Sequence, residues 1–209
     1  MSQYFSIHPE NPQARLLEQA ASIVRKSGVI VYPTDSSYAI GCRMGDKESL
    51  DRIRQLRKLP ASHHMTLVCR DLSEIGNYTQ LDNAAFRMMK SLTPGPFTFI
   101  LKAKKDVPRR LQDQKRRTIG IRVPDNRITQ GLLDALGEPL ISISLVLPDQ
   151  ELPENDPETI AEKLGKRVDL ILDGGACGLD FTTVIDMTTA EPSILREGKG
   201  YDRLALEQA

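Results

Sequence analysis

The sequence has few cysteines and none of the glycine-rich motifs that commonly bind phosphate groups. Its three cysteines, Cys42, Cys69 and Cys177, are far apart and include no Cys-x-x-Cys pair, which argues against a disulfide framework or a zinc ribbon. No Gly-x-x-x-x-Gly-Lys-Ser/Thr loop occurs, and no Gly-x-Gly-x-x-Gly follows a predicted strand. A Gly-x-Ser-x-Gly elbow is absent as well, so the sequence gives no sign of a covalent hydrolase of that type.

The chain also lacks a long apolar run and an excess of charge of either sign. No stretch reaches the roughly 18 apolar residues of a membrane-spanning helix. The first residues, Met-Ser-Gln-Tyr-Phe-Ser-Ile-His, contain neither the basic nor the apolar segment of a signal peptide. The 28 basic residues balance the 28 acidic ones, so no global field favours nucleic acid or acidic substrates. We therefore expect a cytoplasmic protein without membrane contact.

Histidine is scarce, and its positions do not suggest a metal site. His8 lies near the start of the chain, and His63 and His64 follow Pro60 in a predicted loop. None of them has cysteines or carboxylates at the spacing of metal ligands. We predict no metal site and two solvated loop histidines.

The hydrophobic pattern predicts an α/β protein with a twisted, mixed, open sheet. Helical and strand patterns alternate to about residue 172, and strand patterns then cluster, which favours a mixed sheet over a purely parallel one. We predict one domain over residues 1–209, with a core at about 10–200 and a loosely held tail at 197–209. The predicted helices lie at about 12–26, 46–58, 82–92, 127–136 and 157–166, and the strands at 29–33, 66–69, 97–103, 118–123, 139–147, 168–172, 182–187 and 193–196.

Short polar residues follow the first predicted strand, which is the most informative feature of the chain. Pro33 ends that strand because it has no backbone donor for the sheet ladder. Thr34, Asp35, Ser36 and Ser37 come directly after it, and open α/β sheets bind ligands at the carboxyl ends of their strands. The alternative is an ordinary polar turn.

Other predicted strands carry hydroxyl groups or an arginine. Ser142 and Ser144 share one face of their strand, since side chains two apart point the same way. Arg122 lies in an otherwise apolar strand and needs an anionic partner, because an unpaired buried charge is very costly. That partner is either a protein carboxylate such as Asp186, or a phosphate or carboxylate ligand, which arginine binds in a bidentate manner.

Taken in order, these pieces resemble the YrdC/Sua-type family of threonylcarbamoyl-adenylate synthases, over about residues 10–200. Each piece alone is weak, but the ordered set is specific. The first piece, together with 115–120, is most similar to the YciO branch. The matching segments are 32–42 (Tyr-Pro-Thr-Asp-Ser-Ser-Tyr-Ala-Ile-Gly-Cys), 93–98 (Thr-Pro-Gly-Pro-Phe-Thr), 120–124 (Gly-Ile-Arg-Val-Pro), 140–144 (Leu-Ile-Ser-Ile-Ser), 182–186 (Thr-Thr-Val-Ile-Asp) and 194–198 (Ile-Leu-Arg-Glu-Gly).

The resemblance implies a YrdC-like fold with a concave basic surface that binds ATP and double-stranded RNA or tRNA. Enzymes of the family join L-threonine, bicarbonate and ATP into threonylcarbamoyl-AMP and release pyrophosphate. By the resemblance, Thr34 helps to hold the amino acid, and Arg122 and Arg196 face the phosphates or the adenylate. Mg²⁺ is held mainly through phosphate oxygens, in keeping with the absence of a carboxylate cage. The hydroxyl donors to the nucleotide are Ser142, Ser144 and Thr182.

The chain departs from the synthase pattern at two motifs. The synthases carry Lys-x-Arg just before a proline, and here the segment before Pro60 is Arg57-Lys58-Leu59. Arg57 therefore takes the lysine position, and Leu59 the arginine position. The synthases also carry Ser-x-Asn, which here is Ser144-Leu145-Val146. Losing a positioned polar group at a reacting centre costs on the order of 10²–10³ in rate, so efficient adenylate synthesis is not expected.

A basic segment lies between residues 102 and 122, with nine basic and two acidic residues and a local charge of +7. Such segregated charge is typical of phosphate-backbone binding. No aromatic residue lies within the segment, which favours duplex or folded RNA over stacked single strands. The alternative is a solvated loop without a partner. The predicted RNA-binding residues are Lys102, Lys104, Lys105, Arg109, Arg110, Lys115, Arg116 and Arg117.

Three functions are compatible with these observations. The first is a nucleotide- and RNA-binding YrdC-like protein with weak or altered threonylcarbamoyl-adenylate activity. The second is a non-catalytic module that binds structured RNA. The third is an adenylate- or carbamoyl-handling enzyme with a different acceptor, whose pocket is reshaped by Leu59 and Val146.

Overall fold

A computed structural model describes residues 2–189 and 191–207, and it contains one sheet of ten strands with helices on both faces. A single 3₁₀ turn at Arg109–Leu111 interrupts the basic segment. The helices are α1 (Ala14–Arg25), α2 (Lys47–Leu56), α3 (Leu72–Tyr78), α4 (Asn83–Leu92), α5 (Arg127–Leu136), α6 (Pro157–Leu164) and α7 (Tyr201–Glu207). The strands are β1 (Gln3–Ser6), β2 (Ile30–Tyr32), β3 (Ala39–Arg43), β4 (Thr66–Val68), β5 (Phe97–Lys102), β6 (Thr118–Arg122), β7 (Leu140–Ser144), β8 (Leu170–Asp173), β9 (Thr183–Asp186) and β10 (Ser193–Arg196).

The strand order is β1-β8-β2-β3-β7-β4-β6-β5-β9-β10, which is open at both ends. The pairs β1/β8, β2/β8, β4/β6 and β5/β9 are parallel. The remaining pairs are antiparallel. The prediction of a mixed open α/β sheet is therefore confirmed.

The two faces of the sheet are covered unequally, and this difference creates the site. On one face, α2, α3, α4 and α6 bury the larger core, which includes Ile53, Ile75 and Met89. On the other face, α1 and α5 pack over β8, β2, β3 and β7. Side chains of β4, β6, β5 and β9 on that second face border an open cavity. Of these four strands, only β4 contributes a described residue, Val68, to the core under α1 and α5.

Local sequence explains most helix boundaries. The side chain of Asp46 accepts a hydrogen bond from the Ser49 amide (3.1 Å) at the start of α2. Asn126 does the same for the Thr129 amide (3.0 Å) at the start of α5, which ends at Gly137 with a left-handed φ of 72°. Helix α1, predicted at about 12–26, begins after Gln13 without a side-chain cap.

The described residues contain four helices or strands that the hydrophobic pattern did not predict. They are β1, β3, α3 and α7. β3 pairs with β2 in an antiparallel hairpin, so residues 33–38 connect two strands rather than a strand and a helix. Gly41 within β3 is needed there, because a Cβ would lie 2.9 Å from the Ile141 carbonyl oxygen and 3.1 Å from the Tyr32 ring.

The expectation of a loose tail at 197–209 is wrong for its middle part. Helix α7 lies in this segment, and Leu204 is buried against the larger core. The Arg203 guanidinium lies 5.4 Å from the centre of the Phe97 ring. The end of the tail, residues 208–209, lies outside the described residues.

Candidate functional site

The uncovered part of the sheet forms a cavity of about 360 Å³. Small-molecule pockets have volumes of about 300–1,000 Å³, so one small molecule fits here. The sheet supplies Tyr32, Ala39, Thr66, Val68, Thr98, Ile100, Gly120, Arg122, Ser142, Ile143, Ser144 and Val184, and connecting segments supply Thr34, Arg57, His63, His64, Met65, Pro124, Val146, Phe181 and Thr182, while Arg196 reaches in from β10.

The charged groups in this lining are all basic. Three arginines and two histidines line the cavity, and no aspartate, glutamate or lysine is among the described lining residues. The three guanidinium groups favour anions over cations, because a desolvated cation is stabilised by a counter-charge. The lining therefore has the charge that suits an anion.

Arg57 lies at the α2 end of the cavity and has no counter-charge among the described residues. Its Nη1 donates to the carbonyl oxygen of Ser144, and its buried Nε has no hydrogen-bond partner among the described residues. It takes part in no ion pair within the part of the chain that the structure describes. Burial lowers its pKa to about 10, so the guanidinium is still charged at neutral pH. This leaves a donor ready for an anion.

Arg196 provides a second free cation on the other side of the cavity. Its Nε donates to the Thr182 carbonyl oxygen (3.0 Å), and its Nη2 to the Thr182 hydroxyl (3.1 Å). The guanidinium lies 5.0 Å from the centre of the Phe181 ring. Burial and the nearby Arg122 lower its pKa. Like Arg57, it forms no ion pair with a described residue.

The two free arginines are well separated. Arg57 is anchored at the end of β7, and Arg196 at Thr182, directly before β9. Four strand spacings separate β7 from β9 in the sheet, which is roughly 19 Å along the sheet surface. A ligand that contacts both arginines has to be an extended molecule.

Arg122 differs from these two because it has a protein counter-charge. Its Nη2 contacts a carboxylate oxygen of Asp35, the Ser36 hydroxyl (3.0 Å) and the Thr34 hydroxyl (3.2 Å). The side chains of Arg122 and Asp35 are 8% and 10% exposed. Of the two partners that the sequence allowed for Arg122, the structure therefore has the protein carboxylate, but the residue is Asp35. Asp186, the example named from the sequence, pairs with Arg116 (2.6 Å).

The hydroxyl groups predicted from the sequence are fixed by internal hydrogen bonds. Thr34 Oγ1 donates to the Ser37 carbonyl oxygen (2.6 Å). Ser142 Oγ accepts from the Tyr32 hydroxyl (2.6 Å) and donates to the Ile40 carbonyl oxygen (3.1 Å). Tyr32 was not predicted as a site residue, because the sequence shows it only as an apolar strand residue. Burial raises its pKa to about 12, so the hydroxyl keeps its proton.

Thr182 is also held in place, since its hydroxyl lies 2.8 Å from that of Thr98. Ser144 lines the cavity, and its backbone oxygen is the acceptor for Arg57. All seven residues predicted for nucleotide or substrate binding line this cavity. They are Thr34, Arg57, Arg122, Ser142, Ser144, Thr182 and Arg196.

The two adjacent histidines lie at the mouth of the cavity, which the sequence did not indicate. Both are exposed loop residues, as predicted, and both also line the cavity. Partial burial, with a smaller effect from the charge of Arg57, lowers the pKa of His63. His64 Nε2 lies 3.3 Å from a carboxylate oxygen of Asp113. The only signal in the sequence was their position shortly after Pro60, where the segment before the proline differs from the Lys-x-Arg motif of the synthases.

The two motif departures have different structural consequences. Val146 lines the cavity. Leu59 is half-buried and packs against the larger core on the opposite face of the sheet. The expectation that Leu59 reshapes the pocket is therefore wrong, whereas Val146 does contribute an apolar surface to it.

The basic segment forms an exposed surface next to the cavity. All eight residues predicted to bind RNA are exposed. Among the described ion pairs, only Arg116 of these eight takes part, with Asp186. Asp113 shapes the turn, since its Oδ1 accepts from the amides of Lys115 (2.9 Å) and Arg116 (2.6 Å). These hydrogen bonds lower the pKa of Asp113.

The described residues contain no group of three or more histidine, cysteine, aspartate or glutamate side chains arranged to hold a metal ion. No helix among them is both long and apolar enough to cross a membrane.

Comparison with known proteins identifies relatives over nearly the whole chain. The family model named Sua5/YciO/YrdC and described as telomere recombination matches residues 22–198. YciO of Escherichia coli strain K12 is 59% identical over 200 residues, which are 96% of this chain and 97% of YciO. The crystal structure of Escherichia coli YciO superimposes with a TM-score of 0.92 over the same shares of both chains.

A more distant relative carries an enzyme name. Threonylcarbamoyl-AMP synthase of Nitrosococcus oceani is 31% identical over 186 residues, which are 88% of this chain and 94% of that protein. The resemblance inferred from the ordered motifs is thus confirmed. The chain belongs to the Sua5/YciO/YrdC family, is closely similar to YciO, and is related to the threonylcarbamoyl-AMP synthases.

Proposed function

We propose that the protein binds ATP in the cavity and structured RNA on its basic segment, and that its threonylcarbamoyl-adenylate activity is weak or altered. The observation that carries this proposal is a cavity lining whose charged groups are all basic, in which Arg57 and Arg196 pair with no carboxylate of the described residues. A nucleoside triphosphate is an extended anion with hydroxyl groups and a base. It therefore suits two separated cations with fixed hydroxyl groups between them.

The charges suggest which part of the ligand each arginine meets. Arg57 and Arg196 have free donor capacity and suit phosphate or carboxylate oxygens. Arg122 is already neutralised by Asp35, so it adds less to anion binding than its position alone suggests. Its role is to hold Thr34 and Ser36 in the strand-end turn through the same Nη2 atom.

The cavity also bears on Mg²⁺, which usually accompanies nucleotide phosphates. No carboxylate lines the described part of the cavity, so protein oxygens offer no cage for the ion. Mg²⁺ prefers oxygen ligands and is often held largely by substrate phosphates and water. A phosphate-held ion fits these residues, and Mg²⁺ would there offset part of the phosphate charge.

Val146 is the specific reason to propose altered rather than full synthase activity. It presents an apolar side chain where the synthase motif has an amide donor. A lost donor at the reacting centre lowers the rate without preventing binding. The second candidate, an adenylate- or carbamoyl-handling enzyme with a different acceptor, rests on the same residue, because an apolar patch favours a less polar acceptor.

RNA binding rests on the exposed basic segment. Seven of its eight predicted residues take part in no ion pair among the described residues, so their charges are available to phosphates. The alternative function, a non-catalytic RNA-binding module, would use the same surface and differs from the proposed function only because it catalyses no reaction.

A pyrophosphate-release screen tests the proposal. The protein is incubated with ATP, Mg²⁺, bicarbonate and each amino acid in turn, beside a threonylcarbamoyl-AMP synthase. We expect slow release with threonine or faster release with another acceptor. Tight ATP binding without any release supports the binding module, and absence of ATP binding contradicts the nucleotide part of the proposal.

A further inference from the structure

Three concave surfaces follow one another on this side of the molecule, and neighbouring ones share residues. The ATP cavity shares His63 and His64 with a second depression of about 330 Å³, which is lined by residues 61–64 and 110–115. That depression shares residues 112–114 with a third one of about 360 Å³. The cavity is therefore connected to the basic segment through the two histidines.

The chemistry of the outer depressions suits a phosphate chain. Lys104, Lys105, Arg109 and Arg117 line the third depression, and Asp113 is its single carboxylate among the described lining residues. The middle depression carries Arg110 and Lys115 between the cavity and that basic surface. The side-chain amides of Gln112 and Gln114 each donate one N–H to a backbone oxygen, of Val107 (2.6 Å) and Arg109 (2.8 Å), and the second N–H of each can bind a phosphate or sugar oxygen.

The length of this series favours a polymer over a small molecule. The innermost cavity alone has the volume of a small-ligand pocket. Two further depressions of similar size continue beyond it, with cations along the whole course. A duplex is too wide for the cavity, whereas one nucleotide of a single strand is of suitable size.

We infer that the duplex part of a structured RNA lies on the basic segment and that its single-stranded end passes the His63–His64 turn into the ATP cavity. The inference rests on the RNA-binding part of the proposed function. According to this inference, the second ligand of the cavity, besides ATP, is the end of the bound RNA and not a free small molecule. ATP and the RNA end then compete for one cavity.

The imidazoles are placed to guide such a strand. His64 is tied to Asp113 at 3.3 Å, which links the cavity mouth to the turn that carries Lys115. His63 lies beside Arg57, with a lowered pKa that leaves it able to donate or accept a hydrogen bond as a neutral ring. Both are exposed, so a passing strand can reach them.

Binding of matched hairpin RNAs tests the inference. One hairpin has a blunt stem of about 16 base pairs, the length that a duplex-binding domain can span. Two others add a short single-stranded overhang at the 3′ or at the 5′ end. We expect one overhang to raise affinity by about tenfold, since a few added polar contacts suffice for that change. We also expect saturating ATP to remove the gain while leaving blunt binding unchanged.

Histidine variants test whether the single-stranded end passes the His63–His64 turn. His63→Ala combined with His64→Ala should abolish the overhang gain and keep blunt binding, whereas His8→Ala, which lies outside both depressions, should change neither. Equal affinity for all hairpins overturns the inference and leaves RNA binding intact. Absence of binding to any hairpin overturns both. If a dinucleoside tetraphosphate binds far more tightly than ATP and the overhang adds nothing, the series serves a small polyphosphate and the inference is wrong.

Discussion

Replacing Arg122 is expected to destabilise the fold more than it weakens ATP binding. The pair Arg122–Asp35 is nearly buried, with side chains 8% and 10% exposed. Removing one partner of a buried pair leaves the other charge stranded, which costs about 3–5 kcal/mol. A chain of this size loses about 2–4 °C of melting temperature per kcal/mol, so Arg122→Gln should lower it by roughly 6–20 °C.

A double-mutant cycle with a surface control measures this cost. Asp35→Asn should also destabilise, and the double variant should lose less than the sum of the single variants, with a coupling of about 1.5–3 kcal/mol. Arg127→Gln is the control, because its pair with Glu10 spans 3.6 Å between largely exposed side chains. That change should cost at most about 1 kcal/mol. Chemical denaturation of the ligand-free variants provides the free energies of unfolding.

The result for Arg122 has two refuting outcomes. If Arg122→Gln melts as the parent does and loses all ATP binding, the ligand and not Asp35 is the counter-charge. If the two substitutions are simply additive, Arg122 and Asp35 do not interact as the structure places them. Either outcome would remove the distinction between Arg122 and the two free arginines.

Three other changes test separate parts of the account. Replacing Lys115 and Arg117 by alanine should weaken duplex RNA binding. It should also make the dependence of the binding constant on salt concentration less steep than the parent's log–log slope of roughly −3 to −5. An unchanged slope would show that these two residues do not contact the RNA. Val146→Asn should raise the rate of threonylcarbamoyl-adenylate formation by about tenfold, which is about 1.4 kcal/mol of barrier, and a rate equal to that of the parent would contradict this. Leu59→Arg should lower stability without raising the rate, because Leu59 packs on the core. Burial lowers the pKa of His63, so its ring is neutral at neutral pH and gains a positive charge as the pH falls through that pKa. ATP affinity should therefore rise with falling pH in the parent, and should rise less in His63→Ala. Parallel pH profiles of the two proteins would show that His63 does not contribute to ATP binding.

The sheet could be predicted from the sequence where strands are apolar and β-branched. β2, β6 and β7 have such patterns and end at proline or serine positions. β3 was missed because Ala39 and Gly41 are poor strand formers, and the polar turn before it looked like the end of the unit. Its existence depends on pairing with β2 and β7, which is a tertiary effect that local pattern does not carry.

The site residues could be predicted, but their partners could not. The order of the motifs indicated Thr34, Arg122 and Arg196, and each lines the cavity. The carboxylate that pairs with Arg122 is set by the way the connection at 33–38 folds towards β6. The spacing of residues in the sequence does not predict that fold. Leu59 was misplaced for a similar reason, because its motif position says nothing about which face of the sheet the following loop covers.

ATP binding by variants of the two free arginines tests the central claim most directly. Calorimetry would compare the parent, Arg57→Gln, Arg196→Gln and Arg87→Gln, the last being an exposed arginine of α4 away from the cavity. Hydrogen bonds to charged groups contribute about 1.5–3 kcal/mol, so each cavity variant should bind ATP roughly 10- to 150-fold more weakly while melting close to the parent. Arg87→Gln should bind as the parent does. If the parent does not bind ATP, or both cavity variants bind it as tightly as the parent, the cavity is not the nucleotide site.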